Sequence, residues 1–162
     1  MVSDIFEYIR NNDLESVKKL IESDNTLLEI GNYLSYTPLH IATFYGHIDI
    51  IKYLVECGAD IETKDNDGNT PLYSSSYKGR LDVVKYLISV GVDIESKNNY
   101  DDTPLHIASV RYHIKIVEYL LSKGADPYIK NKYGDTTVDL YRDKEKILNL
   151  IRMVKLKQIY GK

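Results

Sequence analysis

The sequence predicts an all-α fold, a solenoid of about five helix-turn-helix units joined by projecting β-type turns. Three observations predict it. The tetrapeptide Thr-Pro-Leu-His at 37–40 returns at 103–106, with Thr-Pro-Leu-Tyr at 70–73 between them and a weaker echo, Thr-Thr-Val-Asp, at 136–139. Successive copies lie thirty-three residues apart, the mark of one small unit repeated along a stack. Each full copy is followed by an apolar run with helical spacing that closes on a glycine, Gly58, Gly91 or Gly124.

Taken in order, residues 3–36 form an N-terminal capping unit, with helices expected over 4–10 and 14–22 and a longer connection through Leu27 and Leu28. Residues 37–69, 70–102 and 103–135 are three internal units. In these, Thr37 and Thr103 are suited to cap a helix, because the hydroxyl accepts a bond from a free N–H of the first turn. Pro38, Pro71 and Pro104 then occupy the first helical position, where a missing N–H costs nothing. Leu39, Leu72 and Leu105 face inward. The short first helix stops at Gly46, at Gly79 and, in the fourth unit, at Tyr112. A second helix follows over 48–55, 81–88 and 114–121, with one apolar face. Polar turns such as Asp-Asn-Asp-Gly at 65–68 complete the unit. Residues 136–155 form a C-terminal cap with Val138, Leu140, Ile147, Leu148 and Ile151 inward, and a basic tail at 156–162 is expected to fray from about Lys155. Ser74 stands where Ile41 and Ile107 occur in the flanking copies, an inward position read as a soft joint of the core, as a hydroxyl serving a neighbouring carbonyl, or as tolerated drift.

These residues resemble the ankyrin repeat. The family pattern of Thr-Pro-Leu-His-x-Ala, then Gly-His, then Gly-Ala-Asp is matched at 37–42 and 103–108, at Gly46 and His47, and at 58–60 and 124–126. The resemblance covers nearly the whole chain. It implies a binding surface of turn tips and first helices, whose variable positions carry over one by one. In the second unit they are Tyr33, Leu34, Tyr36, Phe44 and Tyr45, and in the third Asn66, Asp67, Asn69, Tyr77 and Lys78. The fourth supplies Asn99, Tyr100, Asp102, Val110 and Arg111, and the last Lys132, Tyr133 and Asp135. It also implies that His40 and His106 join neighbouring units through hydrogen bonds. Tyr53, Tyr86 and Tyr119 recur at one second-helix position and read as packing. The Tyr33–Tyr45 cluster is the stronger binding candidate, since aromatic residues concentrate binding energy.

Composition narrows the function classes. The net charge of −3 disfavours a nucleic-acid binder. It also hides a gradient: residues 1–69 hold thirteen acids and five bases (−8), 70–135 eight and nine (+1), 136–162 three and seven (+4). Cys57 is the only cysteine, so no intramolecular disulfide forms and a reducing, cytoplasmic setting is expected. The start, Met-Val-Ser-Asp-Ile, lacks a signal peptide's basic and apolar segments, and no stretch is apolar enough to span a membrane.

Sites of chemistry are not expected. The four histidines fall at equivalent positions of separate units, a ladder that does not converge on a metal. No nucleophile is paired with a base, no glycine loop cradles phosphate, and acid pairs such as Asp101 and Asp102 lie on open turns. The sequence therefore points to a non-enzymatic, monomeric protein-binding module without cofactor, metal or membrane partner, acting as scaffold, adaptor or host-directed effector. The alternative is an inhibitor or immunity subunit that blocks one enzyme. An acidic concave surface would suit a basic enzyme, and the −8 balance permits one.

Overall fold

The computed structural model describes residues 2–160, so Met1 of the N-terminal stretch and Gly161 and Lys162 of the basic tail lie outside the described residues. Paired helices run along the chain: α1 (Val2–Arg10) with α2 (Leu14–Ser23), α3 (Pro38–Tyr45) with α4 (Ile48–Glu56), and α5 (Pro71–Lys78) with α6 (Leu81–Ser89). Then come α7 (Pro104–Val110) with α8 (Ile114–Ser122), and α9 (Thr137–Leu140) with α10 (Lys144–Tyr160). The first helices stack in sequence, α1 on α3, α3 on α5, α5 on α7 and α7 on α9, while α8 packs on α6 and α10.

Local chemistry sets each boundary. Thr37, Thr70 and Thr103 accept from the backbone N–H three residues on, with proline at the first helical position. Helices α3 and α5 end on left-handed Gly46 (φ 80°) and Gly79 (φ 73°). The fourth unit puts Tyr112 into the same conformation at φ 59°, without the freedom of glycine. Gly79 is also fixed by space, because a Cβ there would stand 2.7 Å from the His113 ring. Leu39, Leu72 and Leu105 are buried beneath Ile50, Ile51 and Leu54, then Val83, Val84 and Leu87, then Ile116, Val117 and Leu120. The result is one continuous core.

Two polar ladders recur at thirty-three-residue steps, one folding the tips and one joining successive units. Asn32, Asp65, Asn98 and Asn131 each accept from the backbone N–H two and four residues ahead, which folds the turn tip. Glu29, Glu62 and Glu95 reach into the following unit and accept from the N–H of Asp60, Asp93 and Asp126 at 2.7, 2.6 and 2.6 Å. Successive tips are also joined through the backbone, Asn66 N–H to Leu34 O, Asn99 N–H to Asp67 O and Lys132 N–H to Tyr100 O. These rungs hold the tips in register along the stack.

Three sequence-based expectations change. Ser74 is not a core position: it is half-buried at the wall of a surface groove, while Ser75 and Ser76 are the fully buried serines. The reason is rotation, since the buried stripe of α5 runs through Leu72, Ser75 and Ser76. Ser75 donates to Leu72 O at 3.0 Å, and the Ser76 hydroxyl has no protein partner among the described residues. Leu148, expected inward, is 42% exposed, because the inner face of α10 is Ile147, Leu150, Ile151 and Val154. The tail does not fray at Lys155 but stays helical through Tyr160. Gln158 Nε2 donates to Leu121 O and Ser122 O, carbonyls of the last turn of α8.

Candidate functional site

The concave side of the stack is made of the turn tips and the exposed flanks of α3, α5 and α7. Between the second and third units it deepens into a groove of about 490 Å³. Eight of the sequence-derived positions meet there: Tyr33, Leu34, Tyr36, Phe44, Tyr45, Asn69, Tyr77 and Lys78. The remaining ten do not join the groove, Val110, Lys132 and Asp135 among them. Asn66, Asp67, Asn99, Tyr100, Asp102 and Tyr133 stand on the tips that the backbone bonds join, Arg111 caps α7, and the Tyr100 and Tyr133 rings are stacked at 6.5 Å. Arg10, Asn32, Asp65, Tyr73 and Ser74 line the groove as well and were not singled out as binding positions. A signal existed for two of them. Tyr73 replaces the histidine of the flanking units, and the small Ser74 opens room that Ile41 and Ile107 would fill.

Aromatic rings form the walls. Tyr33 projects from its tip at 87% exposure, Tyr36 leans on the His40 ring at 5.9 Å, and Phe44 meets Tyr45 edge-on at 5.4 Å. Burial raises the Tyr36 phenol above its ordinary range, with Asp65 and Asp67 adding to it, and burial with Asp102 and Asp65 does the same for Tyr73. Both phenols therefore stay protonated as donors and acceptors at neutral pH. Opposite the tips, where the first helices end, the charge is positive. Lys78 Nζ lies 4.0 Å from the Phe44 ring centre, and the Arg111 guanidinium lies 4.6 Å from that of Tyr77. Each cation rests on the aromatic residue of the preceding unit, a cation–π arrangement.

This placement corrects the inference from net charge. Six of the thirteen acids in residues 1–69 serve the fold: Asp13 and Asp24 cap helical turns, Glu29 and Glu62 hold the next unit, and Asp60 and Asp65 shape turns. The groove is not an acidic surface waiting for a basic enzyme. Its cations Arg10 and Lys78 face it alongside Asp65, which is buried and already accepts three bonds.

Three of the four histidines, His40, His106 and His113, hold the fold together through hydrogen bonds. His40 Nδ1 accepts from Thr37 N–H at 3.2 Å, so Nε2 carries the proton and donates to Asn69 O at 3.0 Å. His106 does the same between Thr103 N–H and Ile129 O, and His113 Nε2 donates to Tyr77 O at 3.0 Å. Burial lowers the pKa of His40 and His106 below the ordinary 6.5. The unfolded chain therefore takes up these two protons first, and stability is lost as pH falls below about 6.5. Glu62 and Glu95 act in the opposite sense. Burial raises their pKa, so the folded chain binds those protons first and acidification through that lower window favours it. Urea midpoints at about pH 7.5 and pH 5.5 should fall for the native chain and change less for the His40→Gln/His106→Gln variant. Equal pH dependence in the two would contradict the assignment.

Among the described residues there is no group of three His, Cys, Asp or Glu side chains that could hold a metal ion, and no helix long and apolar enough to cross a membrane.

Comparison with known proteins agrees with the repeat architecture. A family model of ankyrin repeats in three copies matches residues 5–98 and again 63–131. The chain is 43% identical over 61 residues to the serine/threonine-protein kinase VIK of Arabidopsis thaliana, covering 38% of this chain and 14% of that protein. It is 36% identical over 62 residues to a putative ankyrin repeat protein of Rickettsia felis, covering 38% of this chain and 20% of the relative. An ankyrin repeat-containing protein of Schizosaccharomyces pombe is 58% identical over 33 residues, 20% of this chain and 16% of its own. In each case the chain spans a fifth or less of the relative's length.

Proposed function

The chain belongs to the ankyrin-repeat family, whose repeats generally mediate protein–protein interaction, and on that premise we propose that it is a non-enzymatic module holding a protein partner on its concave face. The observation that carries the reading is the aromatic groove. Tyr33, Tyr36, Phe44, Tyr45 and Tyr77 converge on one depression at positions that vary between units, while the shared positions are spent on capping, packing and joining. Exposed aromatic residues gathered in a concavity are a costly surface unless covered, and they are favoured where binding energy concentrates. Scaffold, adaptor and host-directed effector all use such a face.

A subunit that blocks one enzyme would use the same surface, and partner stoichiometry separates the two readings. Affinity capture from the source cells, followed by mass spectrometry and size-exclusion chromatography, supplies the test. A stable one-to-one complex with a single enzyme supports the blocking role, and several exchanging partners support an adaptor. Recovery of no protein by the native chain beyond that recovered by a chain with Tyr33, Tyr36 and Tyr45 replaced by alanine counts against both.

A further inference from the structure

The two rims of the concave face differ in charge and in how their charges are occupied. On the tip side, Asp65 accepts three hydrogen bonds and Asp102 accepts from Asn131 Nδ2 at 2.8 Å. On the helix-end side stand Arg10, Lys78 and Arg111. The ion pairs among the described residues are Lys18–Glu15 and Lys144–Asp139, so none of these three cations is neutralised by a carboxylate. Lys78 and Arg111 are instead laid along aromatic rings of the preceding unit, at 4.0 and 4.6 Å. A ring restrains a long cationic side chain without cancelling its charge or using up its N–H donors. Part of the entropy cost of ordering these side chains for a bound anion is therefore already met within the free chain.

From this we infer that the partner presents an extended acidic and apolar segment, with carboxylates on Lys78 and Arg111 and apolar side chains in the tyrosine groove. This rests on the concave-face reading above and names the chemistry of what that face takes. Spacing supports it. Packed helices lie about 8–10 Å apart, so cations on successive first helices are one such step apart. A segment in the extended polyproline-II conformation advances about 3.1 Å per residue and returns to the same face every third residue, so acids at every third position meet successive cations. A purely basic segment would bring like charge against Lys78 and Arg111; on the tips it would find Asp65 engaged by three bonds and the exposed Asp67 as its competing contact, which the lysine peptide below probes.

The test uses two fluorescein-labelled peptides of about twelve residues, one with glutamate at every third position and leucine and proline between, the other with lysine replacing each glutamate. Fluorescence anisotropy with the full chain should show binding of the acidic peptide, weakened by added salt. Lys78→Glu/Arg111→Glu should lower its affinity by about tenfold or more and should improve binding of the lysine peptide. Circular dichroism checks that the variant is folded. Should it be unfolded, Lys78→Gln/Arg111→Gln with the same pair of peptides serves instead, and the acidic peptide should still lose affinity. The inference is overturned by failure of the acidic peptide to bind, by equal binding of the two peptides, or by charge variants that bind as the native chain does. If both peptides bind equally and Tyr33→Ala/Tyr45→Ala abolishes both, the acidic partner is wrong and the concave-face reading survives. If the tyrosine substitutions change nothing while charge reversal removes binding, the aromatic groove is not the site.

Discussion

Leu72→Ala is expected to destabilise the chain by about 3 kcal/mol and to split its unfolding into two transitions. Leu72 is 1% exposed in α5, the central first helix, which packs on α3, α6 and α7. Removing a buried leucine forfeits its transfer energy and leaves a cavity. In a repeat stack each unit is stabilised only by its neighbours, so a loss at the centre uncouples the two ends. The third unit is also the poorest to start with. It buries Ser75 and Ser76 where the second has Ala42 and Thr43, and Tyr73 replaces the bridging histidine. Against a total stability of about 5–15 kcal/mol, the change is large. Urea denaturation followed by far-ultraviolet circular dichroism reads both effects. The equivalent Leu39→Ala and Leu105→Ala should keep a single transition, and the same behaviour in all three variants would contradict a central weak unit.

Tyr36→Ala combined with Tyr45→Ala is expected to lower affinity for a protein partner by at least about a hundredfold with helicity retained. Tyr36 leans on His40, and Tyr45 stacks on the His47 ring at 5.8 Å and abuts Phe44, so the pair frames the groove between the second and third units. Aromatic anchors in such a depression often contribute about 2 kcal/mol or more each. Tyr45 is exposed, while Tyr36 is half-buried and packs at the edge of a core built mainly from aliphatic side chains, so circular dichroism of the variant accompanies the binding measurement. Titration calorimetry with the captured partner measures the loss. Binding unchanged at native helicity would remove these residues from the site.

The fold was legible because one period governs everything that builds it. Thr37, Pro38, Leu39 and their copies state cap, start and core in a single line of sequence, and the structure places them so. The turn ladder Asn32, Asp65, Asn98 and Asn131 shares that period, but an Asp/Asn exchange disguises one functional oxygen as two residue types. The last unit was harder. Helix α10 carries apolar residues on both sides, Ile147 and Ile151 inward, Leu148, Leu156 and Ile159 outward, so periodicity alone did not select the buried stripe.

Of the groove, the aromatic positions could be read from the repeat register, and its depth and charge could not. Depth depends on the short Ser74 beside Tyr73. Charge depends on pairing across units: Lys78 on Phe44 and Arg111 on Tyr77 are each offset by thirty-four residues, one more than the period. Summed charge misled for the same reason, since acids such as Glu62 and Asp65 are turned into the framework and the cations are left at the groove.

The claim that the chain works through its concave face is tested most directly by site-specific photocrosslinking. A photoreactive amino acid would replace Tyr33, Tyr100 or Tyr133 on the tips, or Asp49, Asp82 or Lys115 on the exposed sides of the second helices. Partner adducts from the tip positions and none from the second-helix positions are the predicted result. Adducts confined to Asp49, Asp82 and Lys115 would place the partner on the opposite side and contradict the account.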